Sequence, residues 1–386
     1  MISGSSLDGL DLAAVRFRYL TEQRQWGFSI AASQTLPYSE EWVTRLQALP
    51  TADAYTFAKT HTDYAHLCGM LARQFLLEHE LSPDLIASHG HTVFHAPEKH
   101  FTAQIGDGET LSTYFSAPLV CNFRNKDVAL GGEGAPLVPF GEHALFPQYS
   151  LFLNLGGIAN LSYLPKTEAQ KQALLGRTWA KRPPEHLAFD LCGCNQVLNA
   201  LARQAGAEEG YDNKGSLARN GKPLPTLLEQ LGQWSYLHVP PPKSLGNADV
   251  RTHQLEPLLE YPAPPADKLH TYVQFLAQQT AQALEQLGLA DQALLVTGGG
   301  AWNEFLFESL KAALQPLGIA PRQPQADVVN FKEALIFALL GLQTVQGKPN
   351  ILHGTTGARA VAVAGSLHFP AAKRASVSPY WPQGCA

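Results

Sequence analysis

The sequence predicts an α/β protein of two domains, each a mixed sheet flanked by helices, with a cleft between them. Three observations lead there. The chain has 386 residues, long for a single core. Strand-length apolar runs alternate with helix-length amphipathic stretches, the pattern of a largely parallel sheet. One theme also occurs twice, a strand, a glycine turn and a second strand, at residues 3–15 and again at 149–164, which suggests duplicated domains. A break near Pro147 gives domains of 1–147 and 148–386, and the segment after about residue 349 is expected to pack back on the first.

The elements follow in order. Residues 12–20 and 26–33 alternate as strands of a meander. Residues 40–49 and 51–80 are helical, the second with a stripe of Phe57, Tyr64, Leu67, Leu71 and Phe75 at three- and four-residue spacing. Residues 84–94 read as one strand and 102–105 as another, Gly106-Asp107 starts a short helix to 115, and 118–122 is a further strand. In the second half, 149–155 is an apolar strand entering Gly156-Gly157, and 158–164 leaves it. Residues 165–185 are polar and proline-bearing, a surface insertion. A strand at 186–191 ends at Asp190, with a helix at 195–205 beyond it. A long helix at 266–287, a strand at 293–296, a helix at 302–314 and an apolar helix at 333–345 complete the chain, whose last fifteen or so residues look loose.

Composition excludes several functions. The 28 Lys and Arg against 33 Asp and Glu, a net charge of −5, leave no basic footprint for nucleic acid and no polybasic arm for a membrane. The longest apolar run, near 334–342, is of core length, and the first residues lack the pattern of a secretory signal. Five cysteines without a paired zinc-type spacing read as reduced thiols of a cytoplasmic protein. Cys192 and Cys194 read as small residues in a tight turn.

The chemistry should sit at three glycine turns. Residues 3–11 hold Gly4 and Gly9, which can take positive φ and bend the chain around a bulky anion. Ser5 and Ser6 offer donors to phosphate oxygens, and Asp8 and Asp11 offer hard oxygens to Mg²⁺. Alone, this stretch is equally an ordinary hairpin turn; the turns at Gly156-Gly157 and Gly298–Gly300 favour the ligand reading. The triple glycine lies between a strand and a helix N-terminus, where backbone and helix dipole can meet a nucleotide. Neither a Walker-type nor a dinucleotide-binding glycine motif occurs.

Eight blocks, SGSSLDGLDLA, SHGHTVFH, CNFRNKDVALGGEGAPLVP, NLGGIANLS, AFDLCGCN, PPPKSLG, TGGGAWN and TTGA, occur in this order over nearly the whole chain. Together they resemble the anhydro-N-acetylmuramic acid kinases, members of the actin-like ATPase and sugar kinase superfamily. The resemblance implies actin-like (ribonuclease H-like) domains, ATP and Mg²⁺ as cofactors, a small-molecule sugar substrate and a homodimer. It implies that ATP and water open the anhydro bridge of a cell-wall recycling sugar and phosphorylate its O6, giving N-acetylmuramic acid 6-phosphate.

Carried over by position, Gly4, Ser5, Ser6, Asp8, Gly9 and Asp11 would form the first phosphate loop, with Asp8 near Mg²⁺. Asn154, Gly156, Gly157 and Asn160 resemble the second loop, and Gly298, Gly299, Gly300 and Asn303 the adenosine side. Asp190 falls on the family's catalytic aspartate and would take a proton from the attacking water; its plain alternative is a cap for the following helix. Arg124, Asp127, Gln104 and Glu333 would contact the sugar, although Arg124 and Asp127 are also readable as a structural ion pair and Glu333 as a first-turn helix carboxylate. Lys243 and Ser244 would shape the cleft. His89, His91, His95 and His100 invite a zinc reading, but His89 and His91 alternate on a strand and the matching block needs no metal.

Three features depart from the family pattern, one of them Asn247-Ala248-Asp249, which stands where an acidic residue often follows the PKS-x-G turn at closer spacing. Only Met1 and Ile2 precede Ser3, so the first strand is expected to be clipped and frayed, and residues 191–194 replace a Thr-Gly-Pro-Gly turn beside the aspartate. Two other functions fit the same residues: a simple sugar kinase using Asp190 only to deprotonate a hydroxyl, and a non-catalytic nucleotide-binding sensor of cell-wall sugars.

Overall fold

The computed structural model describes residues 1–4, 7–176, 185–241 and 243–371. The chain forms two units, one from Met1–Phe146 with the stretch from Glu333 onward, the other Pro147–Lys332. The second crossing, expected from the sequence after about 349, falls inside the helix Ala326–Val345, beside Phe331, whose φ of −121° and ψ of 19° break the helical geometry.

In the first unit, β1 (Gly9–Leu20) and β2 (Gln25–Pro37) form a long antiparallel hairpin. Pairing begins at Gly9 opposite Pro37 and shifts register at Ala14/Val15, so both strands outrun their predicted limits. Met1 and Ile2 are held from both sides rather than frayed. Ile2 exchanges both main-chain hydrogen bonds with Asp11, the Met1 ammonium donates to Ala87 O at 2.8 Å, and His89 N donates to Met1 O at 3.1 Å.

The strand predicted at 84–94 is two: β3 (Ile86–Ala87) and β4 (His91–Ala96). Gly90 separates them with φ of +73°, and a side chain there would collide with Ile105 O. β4 pairs antiparallel with β5 (Phe101–Ile105), while β3 lies parallel to β6 (Leu119–Cys121). The helix Ala54–Glu78 starts on Asp53, whose carboxylate accepts from Thr56 N at 2.8 Å. It buries Tyr64, Ala65, Cys68, Ala72 and Phe75, with Phe57, Leu67 and Leu71 half-buried beside them.

The second unit holds β7 (Leu151–Leu155), β8 (Ile158–Tyr163), β9 (Leu187–Gly193), β10 (Ala293–Thr297) and β11 (Ala320–Arg322) in the order β11-β10-β7-β8-β9. β7, β8 and β9 form an antiparallel meander, and β10 and β11 run parallel to β7. This is the ribonuclease H-like strand order. The helices Asn195–Gln204 and Pro265–Gln286 contribute Val197, Leu198, Leu201, Tyr272, Phe275 and Leu276 to the core against it. Within the predicted insertion, Glu168–Leu175 is a helix with a Thr167/Gln170 capping box; residues 177–184 lie outside the described residues, as do the last fifteen.

The chain then returns to the first unit, where β12 (Ser366–His368) pairs antiparallel with β6 and completes the sheet β12-β6-β3. The helix Ala326–Val345 is apolar and long enough to cross a membrane by composition, but Ala334, Leu335, Ile336, Phe337, Leu339 and Leu340 are each at most 1% exposed. It is a core helix.

Candidate active site

In the second unit two glycine turns meet at the carboxyl ends of β7 and β10. The β7–β8 turn, Gly156-Gly157, is clamped from outside: Gly157 O accepts from Cys194 N at 2.8 Å and Gly156 O from Asn195 N at 3.0 Å. Gly298 follows β10 with φ of +85°, and a Cβ there would lie 2.7 Å from Leu155 O and 3.0 Å from Asn154 Oδ1. Only glycine lets the two turns approach so closely. Asn195 is wedged between them, its Nδ2 donating to Leu155 O at 2.9 Å, with Oδ1 3.1 Å from where a Gly300 Cβ would stand. Thr297 Oγ1 donates to Asn154 Oδ1 at 3.2 Å. Asn195 was not singled out from the sequence; its one signal is its place at the end of the AFDLCGCN block. Asn303, assigned to the adenosine side, spends its Oδ1 as N-cap of the helix Glu304–Leu314, accepting from Leu306 N at 2.9 Å.

Asp190 stands in mid-strand rather than at a strand end, because the small Cys192 and Gly193 continue pairing with Ala159 and Ile158. It sits opposite Asn160 and caps no helix; the helix Asn195–Gln204 begins at Cys194. Residues 243–245 grip the outer edge of β9: Asp190 N donates to Lys243 O at 3.2 Å and Leu245 N to Asp190 Oδ2 at 2.9 Å. Tyr236, also not anticipated, donates its hydroxyl to Asp190 O at 2.8 Å. Asp190 Oδ1 has no hydrogen-bond partner among the described residues. Burial pushes the carboxyl up to about 6, with the Leu245 N–H acting the other way. A carboxylate poised there, one oxygen anchored and one open, can take a proton near neutral pH.

Lys243 holds the gripping segment in turn. Its Nζ donates to Tyr236 O at 2.9 Å and Leu237 O at 3.1 Å, 4.5 Å from the Tyr236 ring centroid. Burial lowers its ammonium to about 8. A cavity of about 270 Å³ involving Phe189 and Leu191 lies against β9, but strand alternation turns those two side chains away from the Asp190 face.

In the first unit, Ser5 and Ser6 lie outside the described residues. Gly9 does not take the positive φ open to it, whereas Leu7 does, at 56°. Gly9 opens β1, where a side chain would strike Leu36 O; it is there for strand approach. Asp8 is exposed. Asp11 accepts from Thr35 Oγ1 at 2.5 Å, yet burial pushes it up to about 6, and the charges of Asp8 and Glu333 add to the rise. A carboxyl raised in this way by neighbouring carboxylates suits a hard cation, which would relieve the same repulsion.

Arg124 precedes the helix Asn125–Ala129. Its Nε donates to His89 Nε2 at 2.8 Å and one terminal nitrogen to Gly134 O at 2.8 Å. His89 Nε2 is therefore the acceptor, and Nδ1 carries the proton toward Gly90 O, 3.0 Å away. Burial and the guanidinium hold His89 well below the usual histidine range. Three of the five guanidinium N–H groups of Arg124 have no acceptor among the described residues. Burial pulls that group down to about 10, against the charges of Glu333 and Asp127.

Asp127 forms no ion pair with Arg124. It is 1% exposed, and its oxygens accept from Gly134 N and Thr356 Oγ1, each at 2.7 Å. It staples the 131–134 loop, so a direct sugar contact is not where its oxygens are spent. Glu333 follows the helix break, and its charge acts on both Arg124 and Asp11. Gln104 is buried on β5, in a network with Thr92 and Thr102.

A ribonuclease H-like sheet, with glycine turns at the ends of adjacent parallel strands and a raised carboxylate beside them, places the chain among the actin-like ATPase and sugar kinase folds. Within that class the match is specific. The family description "Anhydro-N-acetylmuramic acid kinase" fits residues 1–370, and the chain belongs to that family. It is similar to the anhydro-N-acetylmuramic acid kinases of Coxiella burnetii, at 33% identity over 96% of both chains, and of Salinibacter ruber, at 32% over 96% of this chain and 95% of that one. Among solved structures, the activator of 2-hydroxyisocaproyl-CoA dehydratase from Clostridium difficile with bound ADPNP covers 82% of this chain and 88% of its own at 12% identity; its TM-score of 0.39 is too low to carry any argument.

Proposed function

We propose that this chain is an ATP-dependent kinase that hydrolytically opens 1,6-anhydro-N-acetylmuramic acid and phosphorylates O6, giving N-acetylmuramic acid 6-phosphate in peptidoglycan recycling. The observation that carries the reading is Asp190: a carboxyl pushed up to about 6, with Oδ2 held by Leu245 N and Oδ1 open. It accepts a proton from the water that attacks the anomeric carbon, and the bond from that carbon to O6 breaks. The freed O6 takes the γ-phosphoryl group of ATP, a step governed by position and charge neutralisation.

Arg124 binds an oxygen-rich or anionic group of the sugar through its three unspent N–H groups, as a lactyl carboxylate would supply. The turns at 156–157 and 298–300, with Asn154 and Asn195, take the nucleotide. Asp8 and Asp11 would hold Mg²⁺, chiefly through water and phosphate oxygens, and the cation would neutralise phosphoryl charge. Four buried free thiols support a cytoplasmic location. The homodimer implied by the family resemblance is read directly by light scattering.

Incubation with ATP, Mg²⁺ and the anhydro sugar, followed by mass spectrometry, tests the reading. The product should gain the mass of one water and one phosphoryl group with equimolar ADP. A gain of phosphoryl alone would make the chain a simple sugar kinase, and nucleotide binding without product would make it a sensor.

A further inference from the structure

The cavity of about 270 Å³ on the far face of β9 lies wholly within the second unit and outside the site described above. Phe189, Leu191, Leu237 and Leu287 give it an apolar, buried floor. One wall is the helix Pro265–Gln286, which presents Gln279, Gln282 and Ala283 to it at the three- and four-residue spacing of a single face. The opposite wall is the exposed segment from His238, leading to Lys243. An apolar cavity of about 150 Å³ takes benzene, so this one has room for a fused ring with a short arm.

Its polar groups are of one kind. Lys243 is the only lysine, arginine or carboxylate among the described residues that line it. Two of the ammonium hydrogens go to Tyr236 O and Leu237 O, and the third has no acceptor among the described residues. Gln279 Nε2 donates to Gln282 Oε1 at 3.0 Å, which leaves the Gln282 N–H groups unspent as well. Burial lowers the Lys243 ammonium to about 8, as expected of a half-buried cation with no counter-charge facing it. Unspent donors and one positive charge above an apolar floor call for an apolar body carrying a single negative charge.

We propose that this cavity is a second binding site, separate from the catalytic one, for a small aromatic carboxylate whose ring rests on the Phe189 and Leu191 side and whose carboxylate accepts from Lys243 Nζ. Occupation reaches Asp190 through the main chain. Phe189 and Leu191 flank that residue on β9, Lys243 O accepts from Asp190 N, and Leu245 N holds Asp190 Oδ2. A ligand that pins Lys243 therefore steadies the segment that grips the carboxyl. The proposal does not rest on the reaction proposed above.

Indole-3-acetate and its neutral isostere indole-3-acetamide test it by calorimetry on the native enzyme, with and without a non-hydrolysable ATP analogue. The acid should bind saturably with a Kd of about 0.1–1 mM. It should bind about tenfold or more tighter than the amide, and the nucleotide should leave its affinity unchanged. In Lys243→Met the acid and the amide should bind within about twofold of one another. Ala283→Trp fills the cavity from the helix face and should abolish binding of both probes, with melting and turnover as in the native enzyme. Hydrogen exchange on the native enzyme locates the probe without any variant: the acid should slow exchange over residues 187–193 and 236–246. No saturable binding of the acid by about 5 mM, equal affinity for acid and amide, displacement by the nucleotide, or protection confined to other segments would each overturn the proposal.

Discussion

Asp190 carries two linked consequences. Its folded-state pKa of about 6 lies above the ordinary value of 3.8, so folding binds a proton there more tightly than the unfolded chain does. The ionised side chain therefore costs stability above pH 6, an effect that shrinks as pH falls and vanishes below about pH 4. Asp190→Asn should melt above the native enzyme at pH 8, by roughly 2–3 kcal/mol of stability, and no higher at pH 4; equal melting at both would mean the carboxyl is unstrained. The same variant should lose about 10²- to 10⁴-fold in turnover while still binding nucleotide. Arg124→Lys should raise KM for the sugar about tenfold or more, because an ammonium cannot present three planar N–H groups, and should leave KM for ATP unchanged. Asp190 and Arg124 were singled out by motif position, and both prove to be buried groups with unspent hydrogen-bonding capacity among the described residues. The occupation of Asp127 was not legible, since its partner Thr356 lies 229 positions away and no local spacing reveals it. Tyr236 and Asn195 escaped for the same reason: each acts on a main-chain carbonyl of a distant residue.

The elements explain why these side chains stay where they are. β9 continues past Asp190 because Cys192 and Gly193 fit the ladder, whereas a Thr-Gly-Pro-Gly turn would have ended it. Sequence periodicity found most strands and helices, and missed where a backbone torsion rather than a side chain decides. Gly90 breaks one predicted strand into two, and Leu7, which no pattern singled out, takes a positive φ ahead of β1. Gly298 is the sharpest such case. Gly298→Ala must place a Cβ 2.7 Å from Leu155 O at a φ of +85°, which should cost about 2 kcal/mol and raise KM for ATP, with KM for the sugar preserved. Urea denaturation and initial-rate kinetics check both halves. Gly298 N also donates to Val329 O at 2.9 Å, two residues before the helix break at Phe331, so the turn and the segment leading to Glu333 are bonded to one another.

At the scale of the whole molecule, the strand–glycine turn–strand theme of the second unit was visible in the sequence because its apolar strands Leu151–Leu155 and Ile158–Tyr163 flank Gly156-Gly157 directly; the first copy runs through Ser5 and Ser6, outside the described residues. The second chain crossing was hidden because it falls within one continuous apolar helix. Among the described residues, the hydrophobic cluster that runs from Leu151 to Val329 is built within the second unit. A fragment of residues 147–332 should therefore melt cooperatively with native near-ultraviolet dichroism. Residues 1–146 alone, lacking β12 and the core helix from Glu333, should not. The account as a whole stands on water being activated beside the sugar, and oxygen labelling reads that step directly. A single turnover in H₂¹⁸O, analysed by mass spectrometry before the anomeric oxygen exchanges, should give N-acetylmuramic acid 6-phosphate with one ¹⁸O at the anomeric carbon and none in the phosphoryl group. A phosphorylated sugar without the label, or one labelled in its phosphate, would contradict it.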